Sequence, residues 1–261
     1  MRKASLFSGI GGIDLAAHWA GMETVMFCER EPYCQRVIRK HWPHVPIIDD
    51  VRDFTRKELE RRGIGTIDII SAGYPCQPFS YAGKRRGAED DRHLWPEVMR
   101  ILEEIRPRWF VGENVAGHVT LGLDDVLADL GGAGYAAQAF LIPAAAVRAS
   151  HRRDRVFIVA HSGSGKRQSG TEVKGILRAL PADGAIDNNA GGRSEAQSRG
   201  GLWPTPTAND AKNATLPPAK KERDNIPGAL MRDGYTAQEG QLNPEWVEVL
   251  MNFPPGWTDV D

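Results

Sequence analysis

Lys3-Ala4-Ser5-Leu6-Phe7-Ser8-Gly9-Ile10-Gly11-Gly12 is the stretch that decides the fold. The short apolar run from Lys3 to Ser8 predicts a strand, and the glycines from Gly9 to Gly12 predict a turn whose backbone can approach a ligand closely. Ile13, Ala16, Ala17 and Ala20 follow at helical spacing. Outward from this strand, turn and helix the alternation continues. Thr24 to Cys28 predicts a second strand, and Pro32 opens a second helix at its favoured first-turn position. Ile67 to Ala72 predicts a third strand, bounded by Gly73 and Pro75. Leu94 to Ile105 predicts a helix with Leu94, Val98, Ile101, Leu102 and Ile105 on one face, and Trp109–Gly112 and Arg155–Ala160 predict further strands. Such alternation implies an α/β fold, an open and largely parallel sheet with helices on both sides.

The composition agrees with one large domain, or one domain plus a smaller one. The chain has 261 residues, 41% hydrophobic and 26% charged, the profile of a globular protein with a real core. Thirty-three Lys and Arg against 34 Asp and Glu leave a net charge of -1, which argues against a generally basic nucleic-acid coat but permits a local basic cleft. No apolar run reaches the roughly 18 residues of a membrane span, and Met1 to Gly12 lacks the apolar core of an export signal. Cys28, Cys34 and Cys76 are too few and too unevenly spaced for a disulfide framework or a four-ligand zinc site. A cytoplasmic protein without membrane contact or bound metal is expected.

From His161 to Leu202 there is no Phe, Trp or Tyr, and Gly, Ser, Asn and Arg are frequent. Such a stretch cannot build its own core, and is expected to be a mobile or partner-ordered insert. Trp203-Pro204-Thr205-Pro206-Thr207 begins an irregular region, and order returns where Asn243-Pro244-Glu245 opens a helix with Trp246, Val249, Leu250 and Phe253 on its apolar face. The expected organisation is a catalytic domain at 1–160, a variable region at 161–241 with 161–202 mobile, and a segment at 242–261 that returns to the catalytic domain.

Four elements carry chemistry. The glycine turn, with Glu29 at the end of the second strand and Asp50-Val51 after the next apolar run, suggests a nucleoside-bearing cofactor; the alternative is a turn that only packs a helix onto a sheet. Gly73-Tyr74-Pro75-Cys76-Gln77-Pro78-Phe79-Ser80 places a cysteine between prolines just past a parallel strand, where open α/β sheets hold their sites. A buried structural thiol is the alternative. Residues 83–93 form a charged loop that would either close over a substrate or be solvated. Glu113-Asn114-Val115 and His151-Arg152-Arg153-Asp154-Arg155 would bring a carboxyl group and arginines to the same sheet edge.

Taken together these residues resemble the DNA cytosine-C5 methyltransferases, and short phage or prophage members in particular. Phe7-x-Gly9-x-Gly11-Gly12, Glu29, Asp50-Val51, Pro75-Cys76-Gln77-Pro78-Phe79-Ser80, Asp91-Arg92-x-Leu94, Glu113-Asn114-Val115 and Arg153-x-Arg155 follow the order of that family's motifs, and Leu242-Asn243-Pro244-Glu245 with Phe253-Pro254 resembles its ninth. The resemblance implies a Rossmann-like sheet that binds S-adenosylmethionine, with a smaller, irregular target-recognition region. Phe7 would stack near adenine, Gly9, Ile10, Gly11 and Gly12 would face the methionine part, Glu29 with Arg30 would hold the ribose, and Asp50 and Val51 the adenine. Pro75 and Leu94 would complete the cofactor site. Cys76 would attack C6 of a flipped cytosine, Glu113 would donate to N3, and Arg153 and Arg155 would hold a phosphate and the cytosine O2 or orient Glu113.

Double-stranded DNA is the implied partner, read by side chains such as Arg193, Arg199, Asn209, Lys212, Lys220 and Lys221. The sequence departs from the family in two places. His151 stands where Gln is usual, and the closing Gly-Asn motif has no counterpart before Asp261. The second departure implies a more open cofactor pocket or a second chain that completes it. Other readings are an RNA cytosine-C5 methyltransferase, a catalytically impaired DNA-binding subunit or prophage relic, and a nucleotide-dependent oxidoreductase. The oxidoreductase explains neither the Pro75-Cys76 loop nor Glu113-Asn114-Val115.

Overall fold

A computed structural model describes residues 1–75, 94–120, 122–147, 149, 151, 153–163, 177–178, 204 and 244–260. Their strands are β1 (Arg2–Leu6), β2 (Glu23–Cys28), β3 (Ile47–Ile48), β4 (Ile69–Ala72), β5 (Trp109–Val115), β6 (Tyr135–Pro143), β7 (Asp154–Ser162) and β8 (Leu177–Arg178). They form one sheet in the order β3-β2-β1-β4-β5-β7-β6-β8. The pairs β2/β3, β1/β2, β1/β4 and β4/β5 are parallel, and β5/β7 is antiparallel. The helices are α1 (Gly12–Trp19), α2 (Pro32–His41), α3 (Arg56–Arg61), α4 (Trp95–Ile105), α5 (Leu123–Gly132) and α6 (Pro244–Leu250). The expected α/β architecture, strands alternating with helices over a mostly parallel sheet, is what the chain adopts.

Local chemistry explains where the helices start and stop. Pro32 sits in the first turn of α2 behind Glu31, whose carboxylate accepts the Tyr33 amide, and Arg39, Lys40 and His41 occupy the negative end of that helix. Thr55 caps α3 by accepting the Glu58 amide at 3.2 Å. Helix α4 buries Trp95, Val98, Ile101 and Leu102, and ends at Arg106 in the left-handed conformation, φ 56°.

The sequence reading and the structure differ at two places that matter. Strand β5 does not stop at Gly112. Antiparallel pairing with β7 carries it on to Val115, opposite Arg155, so Glu113, Asn114 and Val115 are themselves strand residues. Strand β6 and helix α5 have no counterpart among the sequence-based expectations. In Tyr135-Ala136-Ala137-Gln138-Ala139-Phe140-Leu141-Ile142-Pro143 the small alanines hide the two-residue alternation on which a strand is recognised.

The described residues fall into two compact units. The first comprises those of 1–141, 155–177 and 260, the second those of 142–154, 178–259. The first unit holds the main core, in which Leu6, Met26, Ile70, Phe110, Leu102 and Ile158 are almost wholly buried. It also contains a polar knot beneath α1. Lys3 of β1, only 1% exposed, pairs with Asp14 of α1, which is fully buried. Asp14 further accepts the Ser5 hydroxyl at 2.9 Å and the Thr24 hydroxyl at 3.1 Å. Burial lowers the Lys3 ammonium below the usual lysine range, while Asp14 acts in the opposite direction.

In the second unit, Glu248 of α6 accepts the amides of Gly256 and Thr258 at 2.6 Å each, together with the Thr258 hydroxyl. Burial alone would raise its pKa, but these hydrogen bonds outweigh it and hold the carboxyl below the ordinary range. The turn after α6 is thereby tied back to the helix. Among the described residues no helix is long and apolar enough to cross a membrane.

Candidate active site

The turn after β1 is built from backbone that only glycine adopts easily. Gly9 and Gly11 have φ of 54° and 83°, and Phe7 is itself left-handed at 54°. The Gly11 amide donates to Ser8 O at 3.0 Å, and Gly11 O accepts the Leu15 amide at 2.8 Å, which starts α1. A Cβ on Gly11 would lie 2.6 Å from the Trp42 ring, whereas one on Gly9 would meet nothing within 4 Å among the described residues. The turn is therefore backed by an indole at Gly11 and open at Gly9. Ile10 lies between them, half-buried, and Gly12 begins the helix.

Glu29, just past β2, is locked to this turn. Its Oε2 accepts the Gly9 amide at 2.7 Å and its Oε1 the Glu31 amide at 2.8 Å. The Glu29 amide donates to Ile48 O at 3.0 Å, which sets β3 and the following Asp50-Val51 alongside. Asp50 accepts the Arg52 amide at 2.9 Å and its guanidinium at 3.2 Å. That amide first, then the Arg52 charge and that of exposed Arg30, hold the Asp50 carboxyl below its usual range. Val51 is buried. The residue types suit a nucleoside: carboxylates able to accept hydroxyl or amino protons, next to backbone without side chains.

The other half of the site lies at β4 and β5. Glu113 and Arg155 are diagonal neighbours on the antiparallel β5/β7 pair, and Arg155 Nε lies 2.8 Å from Glu113 Oε1, each side chain about a quarter exposed. Asn114 is buried, donates to Tyr74 O at 3.0 Å and accepts the Val115 amide at 2.9 Å. A Cβ on Gly73 would stand 3.5 Å from Glu113 Oε2 and 3.6 Å from Phe7 O. The glycine turn and the Glu113 carboxylate thus meet at Gly73, with exposed Pro75 two residues on. Leu94 is half-buried against the core where α4 begins.

Cys76, with the rest of 76–93, lies outside the described residues. The two other thiols are poor nucleophiles. Burial, then the charges of Glu29 and the nearby aspartates, push Cys28 up to about 12, and burial with Glu29 and Glu31 pushes Cys34 up to about 11. Arg153 belongs to the second unit, where it has φ 36°, its carbonyl accepts the Ala144 amide, and Nη1 lies 4.0 Å from Met251 Sδ. His151, in the same unit, is buried.

This arrangement can be set beside known proteins. A sequence profile for the C-5 cytosine-specific DNA methylase family matches residues 1–190 of the 261. The chain belongs to that family. Among its relatives, the Type II methyltransferase M.AquIA of Picosynechococcus sp. is 40% identical over 120 residues, 44% of this chain and 48% of its own. M.Eco47II of Escherichia coli is 32% identical over 269 aligned positions, 98% of this chain and 54% of its own. M2.BsuMI of Bacillus subtilis is 34% identical over 172 residues, 61% of this chain and 42% of its own. The chain thus spans about half the length of the curated relatives it matches. Among solved structures, a DNMT2 mutant of Spodoptera frugiperda aligns with a TM-score of 0.57 at 22% identity, over 70% of this chain and 56% of that one. A putative DNA modification methyltransferase from an Escherichia coli prophage gives 0.53 at 24% identity, over 62% and 47%. Both share the fold.

Sequence reasoning misses Trp42, Tyr74 and His118. Trp42 follows α2 without any motif around it. Tyr74 reads only as part of the cysteine loop, and His118 lies in a stretch without periodicity. No local pattern marks them, since their importance comes from contacts over 31 residues or more, between Gly11 and Trp42 and between Tyr74 and His118.

Proposed function

We infer that this chain transfers a methyl group to C5 of cytosine in double-stranded DNA, with S-adenosylmethionine as donor and Cys76 as covalent nucleophile. The observation that carries this reading is the convergence at Gly73 of the glycine turn and the Glu113 carboxylate, three residues before Cys76. The residues present fit the cofactor. Glu29, already engaged by the Gly9 and Glu31 amides, retains lone pairs for ribose hydroxyls, Asp50 can accept the adenine amino group, and the open side of Gly9 leaves room at the turn. Phe7, Ile10, Gly11, Gly12, Arg30, Val51, Pro75 and Leu94 complete the proposed cradle. S-adenosylmethionine held there supplies an electrophilic methyl group on a sulfonium centre.

C5 of cytosine is too weak a nucleophile to accept a methyl group unaided. The Cys76 thiolate adds to C6 of a base turned out of the duplex, forming an S–C6 bond and shifting the C5–C6 π electrons toward C5 and N3. Glu113 would deliver a proton to N3 as charge develops there, and Arg155, 2.8 Å from that carboxyl, fixes its direction. With the donor bound, C5 would take the methyl group as the S–CH3 bond of the sulfonium breaks and a neutral thioether leaves. Loss of the C5 proton to a base re-forms the C5–C6 double bond, the S–C6 bond breaks with its electron pair leaving on the Cys76 sulfur, and N3 returns its proton to Glu113. Arg153 would hold a DNA phosphate. Residues 161–241 would read the target sequence.

Radiolabelled cofactor offered with duplex DNA, and separately with transfer RNA, tests the reading. Label should enter cytosine of the duplex alone, and Cys76→Ala should reduce incorporation to background. Undiminished transfer by Cys76→Ala, or label confined to RNA, would overturn it.

A further inference from the structure

A group of aromatic and polar side chains next to the glycine–glutamate meeting point has no part in the chemistry above. Tyr74, the second residue before Cys76, is only 4% exposed. Its hydroxyl lies 2.9 Å from His118 Nε2, and His118 is itself only 3% exposed, on the short 3-10 turn Ala116–Thr120 that follows β5. The Tyr74 ring packs at 4.9 Å from that of Trp95, whose indole Nε1 donates to Asp129 Oδ2 of α5 at 2.8 Å. The Tyr74 carbonyl accepts from Asn114 at 3.0 Å. Residue 74 is therefore held at three points: backbone, ring face and hydroxyl. The anchoring groups come from β5, α4 and the 3-10 turn, and through Trp95 from α5.

We propose that the Tyr74–His118 pair is a positioning device that fixes the direction in which the chain leaves β4 for the nucleophile. This rests on the proposed function, and it adds residues that touch neither cofactor nor base. Pro75 has its φ set by its ring, which removes one of the rotations between residue 74 and the nucleophile. Addition to C6 needs sulfur within about 3–3.5 Å of the carbon, and an error of about 1 Å costs on the order of a hundredfold in rate. A tyrosine anchored at its tip restrains rotation of the strand end in a way that packing of a phenylalanine ring does not. Asn114 restrains the same residue from its carbonyl side, so loss of the hydroxyl contact alone should weaken the restraint and leave the fold intact.

Tyr74→Phe, His118→Leu and the double variant separate this from a merely structural role. The single variants should each slow single-turnover methylation, and covalent capture by duplex DNA carrying 5-fluorocytosine, by about tenfold. Cofactor affinity measured by calorimetry should fall less than the rate, by about threefold at most, since Pro75 is the cradle residue that adjoins Tyr74 and the rest of the cradle is unchanged. The double variant should be no slower than the slower single, because both substitutions remove one contact. Unchanged rates, multiplicative losses in the double variant, or an equal loss of cofactor affinity would overturn the proposal.

Hydrogen exchange of the full chain gives a readout independent of activity. Faster exchange in the variants, confined to amides adjoining Tyr74 and His118, supports positioning, and unchanged or uniformly faster exchange overturns it. If the parent chain methylates no DNA, it is the proposed function that fails, and exchange still decides the role of the pair.

Discussion

The two halves of the site are held in place by different means. On the side of β1, β2 and β3, the geometry is carried by backbone: glycines at positive φ, and carboxylates of Glu29 and Asp50 that accept main-chain amides. On the side of β4 and β5 it is carried by side chains touching side chains: Glu113 with Arg155, and Tyr74 with His118 and Trp95. A backbone cradle is suited to a ligand that must be held in one place, because amides and turns carry little rotamer freedom to lose. A side-chain lattice is suited to chemistry, because it can direct a proton or a nucleophile with charged groups. Substitutions in the first half should therefore appear in binding, and in the second half in rate.

The sharpest way to break this division is Glu113→Gln. The amide keeps the shape and a hydrogen bond to Arg155 but cannot deliver the proton that the proposed mechanism sends to N3, so single-turnover methylation should fall by about 10²- to 10⁴-fold. Cofactor affinity by calorimetry should change by less than about twofold. A large loss of cofactor affinity in this variant would show that the two halves are not separable.

The same division explains which features are legible in the sequence. Glycine turns, a strand-end acid and a proline-flanked cysteine are local signals, so β1, α1, the places of Glu29 and Asp50 in the chain and the Trp109–Gly112 part of β5 can be read from the order of residues alone. The extension of β5 to Val115 cannot, because it depends on pairing with β7 some 40 residues later: Val115 faces Arg155. The backing of Gly11 by Trp42 and the burial of His118 against Tyr74 are of the same kind. Lys3 and Asp14 are equally hidden. Lysine within a predicted strand reads as a solvent-facing position, and only the register of α1 over β1 shows that it is 1% exposed and paired. Three-dimensional partners are invisible to periodicity, whether they serve packing or chemistry.

That buried pair provides the next test, since it lies under the helix that the glycine turn begins. Asp14→Ala would leave the Lys3 ammonium buried without its counter-charge, and would strip the Ser5 and Thr24 hydroxyls of their acceptor. Removal of one partner of a buried pair costs about 3–5 kcal/mol, which chemical denaturation should register as a lower midpoint with unchanged slope. Replacement of both charges by apolar residues, Lys3→Met with Asp14→Leu, should recover the part of this loss that comes from the unpaired ammonium, and leave the part that comes from the Ser5 and Thr24 hydroxyls. If the double replacement binds cofactor as tightly as the parent, the ion pair contributes stability alone. If affinity stays low in a stable protein, the pair is what holds α1 and its turn in register.

Gly11→Ala probes the backbone half with the smallest effect and the finest resolution. Two costs arise at that position, and they have different origins. Alanine at φ 83° is strained by about 1–2 kcal/mol whatever surrounds it. Its Cβ would also stand 2.6 and 2.9 Å from two carbons of the Trp42 ring, closer than van der Waals contact allows. Calorimetry should find cofactor affinity lowered about tenfold, equivalent to about 1.4 kcal/mol, with the rate at saturating cofactor little changed. Trp42→Ala in the same chain removes the clash and leaves the dihedral strain, so part of the affinity should return. Complete recovery would mean that Gly11 is required only to admit the indole. No recovery would mean that the left-handed turn itself, and not its backing, is what the cofactor side depends on.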